Sequence, residues 1–245
     1  MGVTEDAMLG GAVRVRQPAD GYRAGLDAGL LAAACEAGRG ERVLEAGCGA
    51  GAALLAAAVR NPGAKFVGVE RDLETLALAQ DNIGLNRLGD RVGVLAGDVS
   101  LPFSDLGLEP FDAVLANPPF FDDEGALRAP HPKKRASLIA EVGLGAWASF
   151  LIAAAREGGL ITLIHRADRL ADILSHLAPR AGSFQIRPVH PFADASAKRV
   201  IVRARRGGKA PLQLLPALVL HDRDGAKHTA QAEAILRGEA GLAWV

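Results

Sequence analysis

Cysteine is nearly absent: only Cys35 and Cys48 occur in 245 residues. Two cysteines so far apart build no disulfide framework, and a reduced, cytoplasmic setting is the expectation. The six histidines are scattered, with neither HxxxH nor CxxC spacing nearby, so no metal site is expected. Long apolar runs are missing too. No stretch reaches the roughly 18 uninterrupted apolar residues of a membrane span. Residues 1–20 are broken by polar and charged side chains, unlike a signal peptide. Net charge is also lacking, with 28 basic against 28 acidic residues. A protein coated by nucleic acid over its whole surface is usually basic, so any such contact must rest on a local patch.

With 49% hydrophobic and 23% charged residues, the chain has the material for a sizeable core. Short apolar runs at 42–45, 65–70, 92–96, 111–116 and 160–165 read as buried strands. Between them, 51–59, 72–82, 137–156 and 168–177 read as helices. Asp72 and Asp168 are predicted N-caps, and Gly158-Gly159 is the predicted stop of the long third helix. Strands alternating with helices imply an α/β fold of Rossmann-like type, a mostly parallel sheet covered on both faces. After about residue 183 the pattern changes: 184–189, 198–204 and 212–220 are strand-like, with no helix between them. They predict antiparallel additions at the sheet edge, with a last helix over 228–237 packed on them. The organisation expected is one domain: an N-terminal extension over 1–40, a core over 41–205 and an added strand-and-helix segment over 206–245.

The first strand runs into Glu45-Ala46-Gly47-Cys48-Gly49-Ala50-Gly51, followed at once by a helix. Glycines at that junction permit a sharp turn and close approach of a ligand to the backbone. Glu70 ends the second strand, where a carboxylate can accept hydrogen bonds from both ribose hydroxyls of an adenosine. Gly97-Asp98 closes the third, and Asp98 is a candidate acceptor for the adenine amino group, or else the cap of the next turn. Dinucleotide binding uses G-x-G-x-x-G to hold a pyrophosphate at a helix N-terminus. Here the spacing is G-x-G-x-G, and the preceding acid, Glu45, suits the amino end of a methionine moiety. S-adenosylmethionine is therefore the predicted cofactor. Cys48 answers a demand for a small side chain and is given no nucleophilic role.

The strand at 111–116 leads directly into Asn117-Pro118-Pro119-Phe120-Phe121. In a parallel sheet this loop falls beside the glycine turn. Two prolines stiffen it and remove two N–H donors, leaving carbonyl oxygens to face a ligand. The Asn117 side-chain oxygen and the Pro118 carbonyl can each accept from one –NH2 group, aiming the nitrogen lone pair at a methyl donor. Phe120 offers a flat face for a base. Farther along, His131, Lys133, Lys134 and Arg135 are candidate phosphate contacts. Arg199, Arg203, Arg205, Arg206 and Lys209 form a second basic cluster.

These motifs resemble the class I methyltransferases, and among them the N-type enzymes with an (N/D)PP(Y/F) loop. The segment Gln17-Pro18-Ala19-Asp20-Gly21-Tyr22-Arg23-Ala24-Gly25-Leu26-Asp27 resembles the region before strand one of the bacterial tRNA adenine-N6 methyltransferases that act on a valine tRNA. Lys133-Lys134-Arg135-Ala136, Lys198-Arg199-Val200 and the tail over 212–236 follow that family's layout as well. The resemblance implies that Glu45, Gly47, Cys48, Gly49, Glu70, Asp98 and Asn117 touch the cofactor. It also implies that Tyr22 and Arg23 close its pocket and that Asn117, Pro118, Pro119 and Phe120 face an adenine of RNA, tRNA above all. Phe at position 120 is common in guanine-N2 enzymes of ribosomal RNA, so guanine stays open as the base. Protein glutamine remains a second acceptor for the same loop. A non-catalytic nucleotide-binding module is the reading from another class.

Overall fold

The computed structural model describes residues 2–19, 23–119, 143–223 and 225–244. The chain begins with an antiparallel hairpin, β1 (Val3–Met8) and β2 (Val13–Pro18), whose strands pair only with each other. Along β2, Val13, Val15 and Gln17 are buried and alternate with exposed arginines, the period of a half-buried strand. Helix α1 (Leu26–Ala34) follows, buried from Ala28 onward. Then come β3 (Arg42–Ala46), α2 (Ala52–Arg60), β4 (Lys65–Glu70), α3 (Leu73–Leu85), β5 (Val92–Ala96) and β6 (Phe111–Ala116). Beyond 120–142 lie α4 (Leu144–Ala154), β7 (Ala155–Arg166), α5 (Leu170–Leu177), β8 (Ala181–His190) and β9 (Arg199–Arg206). The two-residue strands β10 (Gln213–Leu214) and β11 (Leu218–Val219) precede α6 (Ala230–Arg237).

Among the described residues the main sheet has nine strands, in the order β10-β8-β9-β7-β6-β3-β4-β5 with β11 also on β8. Strands β3 to β7 are parallel, and β9 runs antiparallel between β7 and β8. Helices cover both faces, which is why Leu44, Val69, Val114 and Ile161 read as continuous apolar runs. The α/β expectation therefore holds, and four of the five core strands match closely.

Four details differ. The segment 212–220 adds parallel pairings to β8; the antiparallel member is β9. Gly158-Gly159 does not stop a helix. The chain enters β7 at Ala155, opposite Phe111, and the glycines occupy the irregularity before Leu160 pairs with Ala113. Gly158 has φ of +73°, so this pair marks a bulge inside a strand. The predicted helix start at 137 lies outside the described residues. Asp72 caps α3 as expected, accepting from Thr75 N at 2.8 Å. Asp168 instead sits in a 3-10 turn before α5 and pairs with Arg166. Helix α6, capped by Thr229, packs against α1, with Leu236 against Gly29, instead of lying over the added strands.

One buried side chain ties the hairpin to the core. Asn82 of α3 is fully buried; its Oδ1 accepts from Arg16 N at 2.8 Å, and its Nδ2 donates to Arg16 O and Ala50 O, both at 2.9 Å. Asn82→Leu leaves those three backbone groups without their partner. It is expected to cost about 2–4 kcal/mol, because buried backbone groups left unmade carry their full desolvation penalty. Thermal unfolding measures the loss, and limited proteolysis within 2–19 should accelerate before the core opens.

Candidate active site

Strand register brings the predicted site residues to one rim. Ala46 pairs with Val69 on one side and Ala116 on the other, so Gly47, Glu70 and Asn117 leave three adjacent strands together. Glu70 pairs with Ala96, which sets Gly97 and Asp98 next along the same edge. This is the carboxyl end of the parallel strands, at the point where the connections change sides of the sheet.

The turn after β3 needs its glycines. Gly47, Gly49 and Gly51 have φ of +65°, +56° and +85°, a region that side chains with a Cβ rarely enter. A Cβ on Gly47 would stand 2.5 Å from Cη2 of Trp147, the buried indole of α4, whereas nothing lies within 4 Å of one on Gly49. The open side of the turn is thus at Gly49, and Trp147 walls the other. Gly47→Ala is expected to destabilise the fold by roughly 3 kcal/mol, combining overpacking with left-handed strain. Denaturant unfolding of the ligand-free protein checks this.

Glu45 is buried, and its Oε2 accepts no hydrogen bond among the described residues. Burial pushes its carboxyl well above the usual range; the Leu54 backbone N–H opposes this, and the Glu70 charge adds to it. Cys48 fills the space against Gly68 and donates its N–H to Val69 O. Burial, with the nearby Glu45 and Glu70, holds its thiol protonated, which suits a packing residue. Glu70 accepts from Gly49 N at 3.0 Å through Oε2 and from Asp72 N at 2.9 Å through Oε1. Each carboxylate oxygen keeps further lone-pair capacity. Asp98 Oδ1 accepts from Ser100 N at 2.8 Å, the turn-capping arrangement that was its other reading. Burial raises its carboxyl, but the Ser100 bonds and Arg71 outweigh that and leave it lowered.

Asn117 is half-buried, Pro118 buried and Pro119 exposed. Pro118 shares the lining of a small gap with Trp147, Leu144 and Leu163, so one indole stands against the glycine turn and also lines the gap beside the Asn-Pro-Pro loop. Arg23 is paired with Asp6 of the hairpin, Nη2 lying 2.6 Å from Oδ2. Tyr22, Phe120, His131, Lys133, Lys134 and Arg135 lie outside the described residues. The second basic cluster does not form one patch. Arg199 stands at the site rim and pairs with Asp27, while Arg203, Arg205 and Arg206 sit toward the other end of β9. There Arg203 pairs with Glu36, and Arg205 and Arg206 donate to Gly158 O, Ile152 O and Ala155 O. Sequence alone pointed to neither Asn82 nor a place for Trp147 at the glycine turn. A clue existed for the first, since Asn82 and Asn86, one turn apart, are poor helix formers on a single face of α3.

The Methyltransferase small domain family matches residues 23–130. A release factor glutamine methyltransferase of Gloeobacter violaceus is 32% identical over 69% of this chain and 60% of its own length. A tRNA1(Val) (adenine(37)-N6)-methyltransferase of Trichodesmium erythraeum is 28% identical over 81% of this chain and 83% of its own. A crystal structure of a predicted O-methyltransferase from Agrobacterium tumefaciens superimposes with a TM-score of 0.75 at 27% identity, covering 88% of this chain and 98% of that one. The alignments span 56% and 60% of two curated glutamine methyltransferase relatives. Among the described residues no helix is long and apolar enough to cross a membrane.

Proposed function

We propose that this chain, which belongs to the class I S-adenosylmethionine-dependent methyltransferases, methylates the exocyclic amino group of an adenine in RNA, with tRNA as the substrate. The observation that carries this reading is the register that sets Asn117-Pro118-Pro119 directly beside the glycine turn. S-adenosylmethionine fits the residues present: Glu45 offers a buried carboxylate oxygen for an ammonium group, and the turn is open at Gly49. A pyrophosphate would meet that carboxylate with charge of the same sign. When bound, the cofactor supplies an electrophilic methyl group.

Each remaining role belongs to the chain's own side chains. Glu45, Gly47, Cys48 and Gly49 line the methionine end, Glu70 the ribose and Asp98 the adenine amino group. Asn117 and the Pro118 carbonyl accept the two N–H bonds of the target amine and aim its lone pair at the methyl carbon, so the rate comes from positioning. No strong base is needed, because the proton leaves after transfer. Phe120 stacks on the base. Tyr22 and Arg23 close the pocket as part of an extension over 1–40; 41–205 forms the catalytic core, and 206–245 completes its edge. His131, Lys133, Lys134 and Arg135 contact phosphates beside a base flipped out of a loop. The cytoplasm, where cysteines stay reduced, is the proposed setting.

Two of the relatives bear on the substrate. The glutamine methyltransferase is more identical but aligns over three-fifths of its length, whereas the tRNA enzyme aligns over most of both chains. The test is transfer of labelled methyl to unmodified total tRNA, total rRNA and a protein extract. Label recovered as N6-methyladenosine in tRNA is expected. N2-methylguanosine in rRNA, or methylated glutamine in protein, would replace the substrate. Cofactor binding without label in any fraction would make the chain a binding module.

A further inference from the structure

We infer that Arg223, held over Phe192, is the outer plate of a stacking platform for single-stranded RNA flanking the target nucleotide; this rests on the RNA reading above. Strand direction puts the platform on the catalytic rim. Strand β8 runs the same way as the parallel core because β9 reverses twice between β7 and β8, and β11 is parallel to β8. The loops after His190 and after Val219 therefore emerge on the edge where Asn117 leaves β6. In the sheet order, β8 is three strands from β6, roughly 14 Å at the usual spacing.

The geometry there is a ladder of planar groups. The Arg223 guanidinium carbon lies 4.5 Å from the centre of the Phe192 ring. Asp194 fixes the guanidinium plane from the side: Nη2 donates to Oδ1 at 2.9 Å and to Oδ2 at 3.1 Å, and Nε donates to Oδ1 at 3.3 Å. Phe192 meets His221 at a tilt, with centroids 5.7 Å and planes 51° apart, and His221 stacks on His228 at 5.0 Å and 28°. The His221 ring is itself held, its Nδ1 2.6 Å from Lys227 O. Lys198 and Lys227 flank the ladder, exposed and outside every ion pair among the described residues.

A plain structural tie between two loops accounts for part of this, but not for the exposure of its outermost member. The Arg223 side chain is 58% exposed, and an ion pair that open contributes little to stability. What the arrangement does achieve is a guanidinium held over a ring and tethered by a carboxylate, with more than half of the side chain open to solvent. Nucleobases stack on guanidinium planes, and the contact tolerates any base. The flanking lysines suit phosphates as point charges. Arginine and lysine are not equivalent at such a site, because only arginine has the plane.

The experiment compares Arg223→Ala and Arg223→Lys with wild type. It reads the Kd for a fluorescent single-stranded RNA oligonucleotide and the KM for unmodified tRNA, with cofactor Kd and Tm as controls. Both variants are expected to weaken RNA binding about tenfold and to raise KM to match, with cofactor Kd and Tm unchanged. Wild-type binding by Arg223→Lys would overturn the platform in favour of a point charge, and unchanged binding by Arg223→Ala would overturn it outright. Wild type that binds no RNA, with Arg223→Ala altering transfer to a protein acceptor, would also overturn it. RNA binding that falls in both variants while wild type methylates no RNA would uphold the platform and defeat the proposed reaction, so the two failures are distinct.

Discussion

Asn117→Ala is expected to slow methyl transfer about 10²- to 10³-fold, the loss typical of removing one pre-positioned hydrogen-bonding group from a reacting centre. Asn117 follows Ala116, which pairs with Ala46, so its side chain leaves the sheet beside Gly47. The two following prolines limit how far the loop can shift to compensate. On the proposed reading, alanine removes the acceptor for one of the two target N–H bonds, and the amine then loses both orientation and polarisation. Aspartate keeps an acceptor oxygen, so Asn117→Asp should recover much of the lost rate. Single-turnover transfer at saturating cofactor separates this from any loss of cofactor affinity, which the expected contact of Asn117 with the cofactor would add. A rate reduced less than about tenfold at saturating cofactor would remove Asn117 from the role of positioning the amine.

Local chemistry made much of this legible in the sequence, and distance hid the rest. The runs that became β4, β5 and β6 have the bounds their apolar content predicts: β4 and β6 are central strands with little exposed surface, and β5, though at the sheet edge, is a short apolar run between turns. The glycine turn and Asn-Pro-Pro announce themselves because each is a motif of consecutive residues. The α4–β7 junction was misread because Ala-rich chain is apolar in either state, and only pairing of Ala155 with Phe111 decides it. The hairpin was missed although Val13, Val15 and Gln17 alternate with arginines; it lies outside the main sheet and is fixed by Asn82, 66 residues from Arg16. Trp147 over Gly47 is the same kind of contact, joining two elements that no sequence window contains together. The basic cluster over 199–209 failed for a simpler reason: a strand carries its two ends to opposite rims of the sheet.

Glu45→Gln should act oppositely on the empty and the loaded protein. In the ligand-free chain burial raises the Glu45 carboxyl well above its ordinary value of 4.5, and the neighbouring Glu70 adds to the shift. The unfolded chain releases that proton near the ordinary value while the folded chain keeps it. Across the interval between the two values the folded state binds more protons, so stability falls as pH rises. Glutamine has no proton to lose, so Glu45→Gln should remove that slope and raise Tm at pH 8 relative to wild type. Cofactor binding should respond the other way. An ammonium group against Oε2 favours the ionised carboxylate, so binding below the raised value expels a proton and wild-type affinity climbs with pH. Without the charge, affinity should fall about 10- to 100-fold, the worth of a buried hydrogen bond to an ionised group. Calorimetry of cofactor binding in phosphate and in Tris counts the protons: wild type should show a heat that depends on the buffer, and Glu45→Gln a smaller dependence. Equal affinities, or a buffer dependence that the substitution leaves intact, would mean that Glu45 does not face the methionine end and that its raised value belongs to the core alone.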